Sequence, residues 1–351
     1  MNARSHAAKL DRGRRPSADV SLARVRHAEL AADSVTPDEI EQAAVDLRAF
    51  LPPTPLQISS AFTDKARCHV YLKVESIQPI RAFKVRGALN KLAHMSREQR
   101  AAGVITASAG NHGLGVAYAA ATFHIPATVY VPEIANQFKV EAIRRLGAKV
   151  VPAGRNYYGA FLEATSAQKE TGATFVHAYD DPHVIAGQGT IAVELIHDLR
   201  HFDTVLVPVG GGGLIGGIAT YLKAKLPGIR VIGVEPTGAD AMRRSLEAGS
   251  VVTLERVDTI ADGLAASAPG KLTFDIARRC VDEVVLVQEQ EMLRAIRLLF
   301  EWEHLLAEPA GAAALAALLY HHRPAPNEKV IVILSGANVT DEVFLRALKS
   351  R

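Results

Sequence analysis

A chain of 351 residues, 48% of them hydrophobic and 22% charged, is long enough for one large or two modest domains with real cores. Its formal net charge of +3 gives no reason to expect nucleic acid or an acidic surface as a partner. The two cysteines, Cys68 and Cys280, form no CxxC pair, and no Cys/His cluster has metal-ligand spacing, which argues against a disulfide scaffold or a zinc module and for a reducing, cytoplasmic setting.

The first 27 residues carry Arg4, Lys9, Arg12, Arg14, Arg15, Arg24 and Arg26 against only Asp11 and Asp19, and read as a disordered basic arm. The two acids and the lack of an apolar face argue against a transit peptide. Beyond the arm, strands are predicted at 70–74 (VYLKV), 103–107 (GVITA), 127–131 (ATVYV) and 149–152. A small-residue helix is expected up to 121 and a charged one around 138–146. Later Val/Ile-rich runs at 204–209, 230–234, 283–287 and 329–334 complete the set. Runs apolar on both faces and separated by helical stretches indicate buried parallel strands, the α/β layered class. The block 103–180 is small enough to be a separate small domain, interrupting a large one made from 28–102 and 181–351. The longest apolar run, 310–320, falls short of the roughly 20 residues needed to cross a bilayer, so no membrane association is expected.

Four segments carry candidate chemistry. Gly210, Gly211, Gly212 and Gly213 follow a strand and precede Leu214, so main-chain N–H groups can approach an anion at the positive end of a helix. Gly211, Gly213 and Gly216, with Glu235 about 20 residues on, also satisfy the dinucleotide pattern GxGxxG, so two phosphate ligands and a plain structural turn stay open at this point. Lys84 lies between Phe83 and Val85, and apolar neighbours disfavour its charged form, as Schiff-base chemistry requires; a solvated lysine at a helix start is the bland alternative. Ser108, Ala109, Gly110, Asn111 and His112 sit between a strand and a helix, where small residues expose N–H groups to a carboxylate, although Ser108 could simply cap the helix. Ser335 ends the last strand, placed either to meet a ring nitrogen or to cap the next helix.

The motifs AFKVRGA around Lys84, SAGNHGLGVA, GGGGLIGG, Gly187-Gln188-Gly189-Thr190, Ala261-Asp262-Gly263, Glu308-Pro309-Ala310-Gly311 and Ser335-Gly336-Ala337-Asn338 occur in one order. That order and spacing, over some 300 residues from about Pro53 onward, resemble the threonine/serine dehydratases of the fold-type II, tryptophan-synthase-β-like pyridoxal phosphate (PLP) enzymes, close to serine racemase. The resemblance implies a two-lobed α/β enzyme with parallel or mixed sheets flanked by helices in each lobe, and it leaves the dinucleotide reading without support. It implies that Lys84 holds PLP as a Schiff base with Phe83 beside it. Gly210 to Gly213 and Leu214 would hold the phosphate, Asn111 the ring 3-oxygen and Ser335 the pyridine nitrogen, while Ser108 through His112 would receive the substrate carboxylate. It further implies water elimination from L-threonine or L-serine to a 2-oxo acid and ammonia, with Lys84 as the base at Cα, in a homodimer acting on small amino acids.

Three departures shape the expectation. Where the family pattern runs Thr-Gly-Ser-Phe-Lys, this chain has Ile80-Arg81-Ala82-Phe83-Lys84, and an inward Arg81 would favour an acidic substrate such as 3-hydroxyaspartate. Ala109 stands where the racemase carries the serine that serves as its second acid/base, which favours dehydratase over racemase. Glu235 aligns with a divalent-cation ligand, but the next carboxylate, Asp240, is one position off, which puts Mg2+ in doubt. Only a short stretch comes after Asn338, so no feedback inhibition through a C-terminal regulatory domain is expected.

Overall fold

The computed structural model describes residues 35–350, and the basic arm read from the sequence lies outside them. Among the described residues, ten strands form two sheets. The larger has the order β1 (Leu56–Ile58), β2 (His69–Val74), β10 (Lys329–Leu334), β7 (Thr204–Pro208), β8 (Arg230–Pro236), β9 (Glu283–Val287), and all its pairs are parallel except β1 with β2. The smaller is fully parallel, ordered β5 (Lys149–Pro152), β4 (Ala127–Val131), β3 (Val104–Ala107), β6 (Thr174–Phe175).

The apolar runs behave as two-faced strands. Along β10, Val330, Val332 and Leu334 enter a core with the helices Glu289–Glu303 and Pro309–Tyr320. Ile331 and Ile333 enter a different core with the helices Pro182–Asp198 and Gly213–Lys225. Side chains alternate across a strand, so a run with no polar position is what a sheet covered on both faces requires. In the smaller sheet Val104, Val129 and Val131 pack with the helices Lys84–Ala93 and Asn111–Phe123. Ile105 and Ala107 face the other way, toward Ala164 of the helix Tyr157–Thr171.

The helix Pro182–Asp198 is gripped on two sides through glycine. A Cβ on Gly87 would lie 2.4 Å from Gln188 Nε2, and one on Gly187 would lie 2.7 Å from Arg86 O. On the other side, a Cβ on Gly217 would lie 2.3 Å from Ile185 O and 2.5 Å from Gly189 N. The motif Gly187-Gln188-Gly189-Thr190 is therefore a packing device that brings the Lys84 helix and the oligoglycine helix against one central helix, main chain to main chain. Gly217→Ala should overpack this contact and cost about 2 kcal/mol, lowering Tm by roughly 4–8 °C. Differential scanning calorimetry checks it, and an unchanged Tm would mean that the two helices have room to part.

Candidate active site

The candidate loops all lie at the carboxyl ends of parallel strands. Ser108 to Gly110 follow β3, Val209 to Gly212 follow β7, and Ser335 follows β10. This is where open α/β sheets place their ligands. Two open grooves elsewhere, of about 790 Å³ beside Asp203 and Lys329 and about 550 Å³ beside Asp240 and Arg244, include none of the candidate residues.

Lys84 is the first residue of the helix Lys84–Ala93. The turn before it is stitched to the loop after β10. Phe83 N donates to Ser335 O at 3.0 Å, Ala337 N donates to Arg81 O at 2.8 Å, and Ala82 bridges Gly336. The residue is half-buried, yet its amine is deep enough for burial to pull its pKa down to about 8. Nζ donates to Ala178 O at 2.7 Å and lies 5.2 Å from the Phe83 ring centroid. Two residues on, Arg86 is 2% exposed and holds two carboxylates: its Nε and Nη2 donate to Glu75 at 2.7 and 2.8 Å, and its Nη1 and Nη2 to Glu194 at 2.6 and 3.0 Å. Burial alone would pull that guanidinium's pKa down, but Glu75 and Glu194 together hold it up. Lys73, 0% exposed, completes the set at 2.6 Å from Glu194. The Lys84 helix is thus anchored by charge to Glu75, in the turn directly after β2, and to the central helix.

The glycine loop opens the helix Gly213–Lys225, whose N-cap, Gly212, has φ 95° and offers no side-chain cap. The first N–H groups of such a helix have no partner within it. Gly211 O accepts from Thr273 Oγ1 at 2.7 Å, and because the peptide is trans, the following N–H points the opposite way. Tyr179 walls the loop: a Cβ on Gly211 would sit 2.3 Å from its ring and one on Gly213 2.9 Å from its Cα. Tyr179 directly follows Ala178, the residue that binds the Lys84 amine, so amine and glycine loop meet across two consecutive residues. Asp180 extends the brace by accepting from Lys271 N, Leu272 N and Thr273 N at 3.0–3.2 Å.

The helix Asn111–Phe123 likewise starts from a glycine N-cap, Gly110, without a side-chain cap. Ser108 Oγ accepts from Gly110 N at 3.1 Å, so it orders the turn rather than capping the helix. The imidazole of His112 is turned inward: its Nε2 pairs with Val176 O at 2.9 Å, and burial first, then the nearby Lys84 charge, lowers its pKa to about 3. Its offer to an anion is therefore its main-chain N–H. Asn111 Nδ2 donates to Glu308 Oε1 at 2.6 Å, and Asn111 Oδ1 accepts from Asn338 Nδ2 at 2.6 Å. Burial, and next the charge of Asp262, push Glu308 up to about 7. Asp262 is itself paired with Lys139 of the helix Gln137–Arg145. Ser335 is buried, and its Oγ makes one long bond, to Ala310 O at 3.3 Å, leaving the hydroxyl able to re-aim.

Two of the departures noted in the sequence have a place in the structure. Glu235 does not stand among ligands: its Oε1 and Oε2 accept from Met242 N and Arg243 N, both at 2.9 Å, which caps the helix Ala241–Ala248. Burial still pushes that carboxyl up to about 8. Among the described residues, no three His, Cys, Asp or Glu side chains are grouped to hold a metal ion. Arg81 is exposed, and its φ of 59° is the left-handed conformation natural to the glycine of the family pattern. Its charge therefore gives no support to an acidic substrate. Ala178, Tyr179, Asp180, Glu308 and Asn338 had no role assigned from sequence. Only the last two carried a signal, through the motifs that contain them.

The family model described as pyridoxal-phosphate dependent enzyme matches residues 47–336. The chain belongs to that family. Among relatives of these PLP enzymes, an L-threonine ammonia-lyase of Geobacter sulfurreducens is 47% identical over 300 residues, covering 86% of this chain and 75% of the relative. A processed threonine deaminase isoform from Solanum lycopersicum has a TM-score of 0.84 at 37% identity, over 91% of this chain and 96% of that one. A maize serine racemase reaches a TM-score of 0.86 at 34% identity, over 90% and 97%. The residues fit the cofactor of the family. A lysine with lowered proton affinity stands beside an uncapped, glycine-headed helix, and a hydroxyl and an amide with unused hydrogen-bonding capacity lie within the same set of loops.

Proposed function

We propose that this PLP enzyme eliminates water from a small β-hydroxy amino acid, L-threonine or L-serine, to give a 2-oxo acid and ammonia. The observation that carries the reading is the Lys84 amine, low in pKa and bonded to Ala178 O, one residue from the ring that walls the glycine loop. The threonine ammonia-lyase and threonine deaminase relatives support the substrate class.

When bound, PLP withdraws electrons from the substrate Cα, so that its proton can be removed and the β-substituent can leave. Lys84 would hold the cofactor through Nζ and is placed to take the Cα proton on that same atom; its lowered proton affinity keeps a working share neutral near pH 7. The N–H groups of Gly210 to Gly213 and Leu214 would hold the phosphate at the helix start. Asn111 would meet the ring 3-oxygen, with Phe83, 5.2 Å from the Lys84 amine, alongside. The substrate carboxylate binds at the N–H groups from Ser108 to His112. Ser335 would give the ring nitrogen a neutral partner, where a carboxylate would keep that nitrogen protonated and favour transamination. Racemisation needs a proton donor on the opposite face, and Ala109 has none. This reading includes a cytoplasmic homodimer, for which sedimentation velocity is the direct check of subunit number. Among the described residues no helix is long and apolar enough to cross a membrane.

The test is a panel of L-threonine, L-serine, D-serine and 3-hydroxyaspartate, with and without Mg2+, scored for 2-oxo acid, ammonia and inverted amino acid. The expected result is 2-oxo acid and ammonia in equal amounts from the L-β-hydroxy acids. D-serine forming from L-serine faster than 2-oxo acid would overturn the assignment.

A further inference from the structure

Two motifs, Glu308-Pro309-Ala310-Gly311 and Ser335-Gly336-Ala337-Asn338, supply side chains that reach Asn111 from opposite sides. An amide side chain fits a site in either of two orientations, and neighbours of fixed polarity decide between them. Here the deciding neighbour is main chain. Ile80 O can only accept, and it takes Asn338 Nδ2 at 2.9 Å. The same nitrogen donates to Asn111 Oδ1 at 2.6 Å, so both of its hydrogens are engaged. Asn111 must then present its oxygen to Asn338 and its nitrogen to the other side, where Nδ2 donates to Glu308 Oε1 at 2.6 Å. Glu308 is 2% exposed and stands at the start of the helix Pro309–Tyr320, with Gly336 leaving room for it, since a Cβ there would lie 2.2 Å from Oε1.

We propose that Asn338 and Glu308 are positioning residues that hold the Asn111 amide in one orientation, so that its one remaining N–H is a donor to the anionic 3-oxygen of the cofactor. The inference rests on the reading that Asn111 meets that oxygen. The chain of bonds begins at Ile80, four residues before Lys84, so the turn that carries the amine also sets the polarity of the amide. A donor facing an anionic oxygen stabilises it; an amide oxygen facing it repels it and favours the form in which the ring oxygen keeps its proton.

The experiment reconstitutes full-length variants with PLP and reads two quantities at one pH. These are the cofactor Kd and the ratio of the visible absorption band to the near-ultraviolet band of the form protonated at the ring oxygen. Asn338→Asp, of the same shape, sets acceptor against acceptor at Asn111 Oδ1. It is expected to weaken cofactor binding at least about tenfold and to shift absorbance from the visible to the near-ultraviolet band. Glu308→Gln keeps an acceptor and should stay within about threefold of the parent in Kd, with its band ratio; Glu308→Leu should resemble Asn338→Asp. Far-ultraviolet circular dichroism of the cofactor-free variants establishes that each is folded, and if Glu308→Leu is not, the Asn338→Asp and Glu308→Gln pair decides. A parental spectrum and Kd in Asn338→Asp, or the same behaviour in Glu308→Gln and Glu308→Leu, overturns the proposal. Asn111→Ala separates the two claims. If it leaves the spectrum unchanged, the reading of Asn111 itself fails; if it changes the spectrum while Asn338→Asp does not, only the orienting role fails.

Discussion

Lys84→Ala should abolish the visible band of the bound cofactor and reduce 2-oxo acid formation by about 10⁴-fold or more, because one substitution removes both the covalent anchor and the base at Cα. The loss belongs in kcat, since the residues assigned to the phosphate and the substrate carboxylate are untouched. A variant that kept the band, or retained a tenth of the rate, would end the assignment. The same side chain predicts a pH dependence in the cofactor-free protein. Capture of the cofactor aldehyde requires the neutral amine, and burial has lowered the pKa of that amine from 10.5 to about 8. The capture rate should therefore rise about tenfold per pH unit below pH 8 and level off above it. An unperturbed lysine would still be climbing at pH 10. Stopped-flow absorbance across pH 6–10 distinguishes the two profiles.

The second large effect is on stability. Arg86→Met should destabilise the fold by about 3–5 kcal/mol, since it leaves Glu75, 0% exposed, and one side of Glu194 without their cation. Arg86→Lys restores the charge but not the fork that serves two carboxylates at once, and should recover only part of the loss. Chemical denaturation of the cofactor-free variants measures both, and an Arg86→Met protein within 1 kcal/mol of the parent would show the cluster to be energetically idle. For Glu194, burial acts to raise the pKa, but Arg86 and then Lys73 outweigh it and hold it below the usual carboxylate value. A depressed carboxyl stabilises the fold above its unfolded pKa of about 4.3 and loses that contribution as pH falls toward its folded value, so the cluster also sets acid sensitivity.

Much of this architecture could be read from the amino acids because buried parallel strands leave a plain trace. β4, β5, β9 and β10 fall on the predicted residues, and β2, β3, β7 and β8 differ at their ends by one or two. The strands not foreseen, β1 and β6, have three and two residues, too few for any periodicity to register. The motifs showed where chemistry concentrates, but not the contacts that explain them. That Gly187 and Gly217 are cut to the shape of a neighbouring main chain depends on helix crossings that no local pattern encodes. Tyr179 lies in a segment with no distinguishing composition, and its role comes from lying flat on a glycine more than thirty residues away. Glu235 carries a cation role only through the family resemblance, and the two N–H groups that it binds belong to a helix whose start the sequence did not mark.

The central helix Pro182–Asp198 carries a last implication. On the proposed reading, the spacing between the aldehyde-binding amine and the phosphate-binding turn is set largely where helix backbones touch through glycine. Replacement of residues elsewhere in the cleft can then alter which amino acid is accepted while the cofactor stays in tune. A catalyst whose prosthetic group is held to a fixed gauge can change diet without relearning its chemistry.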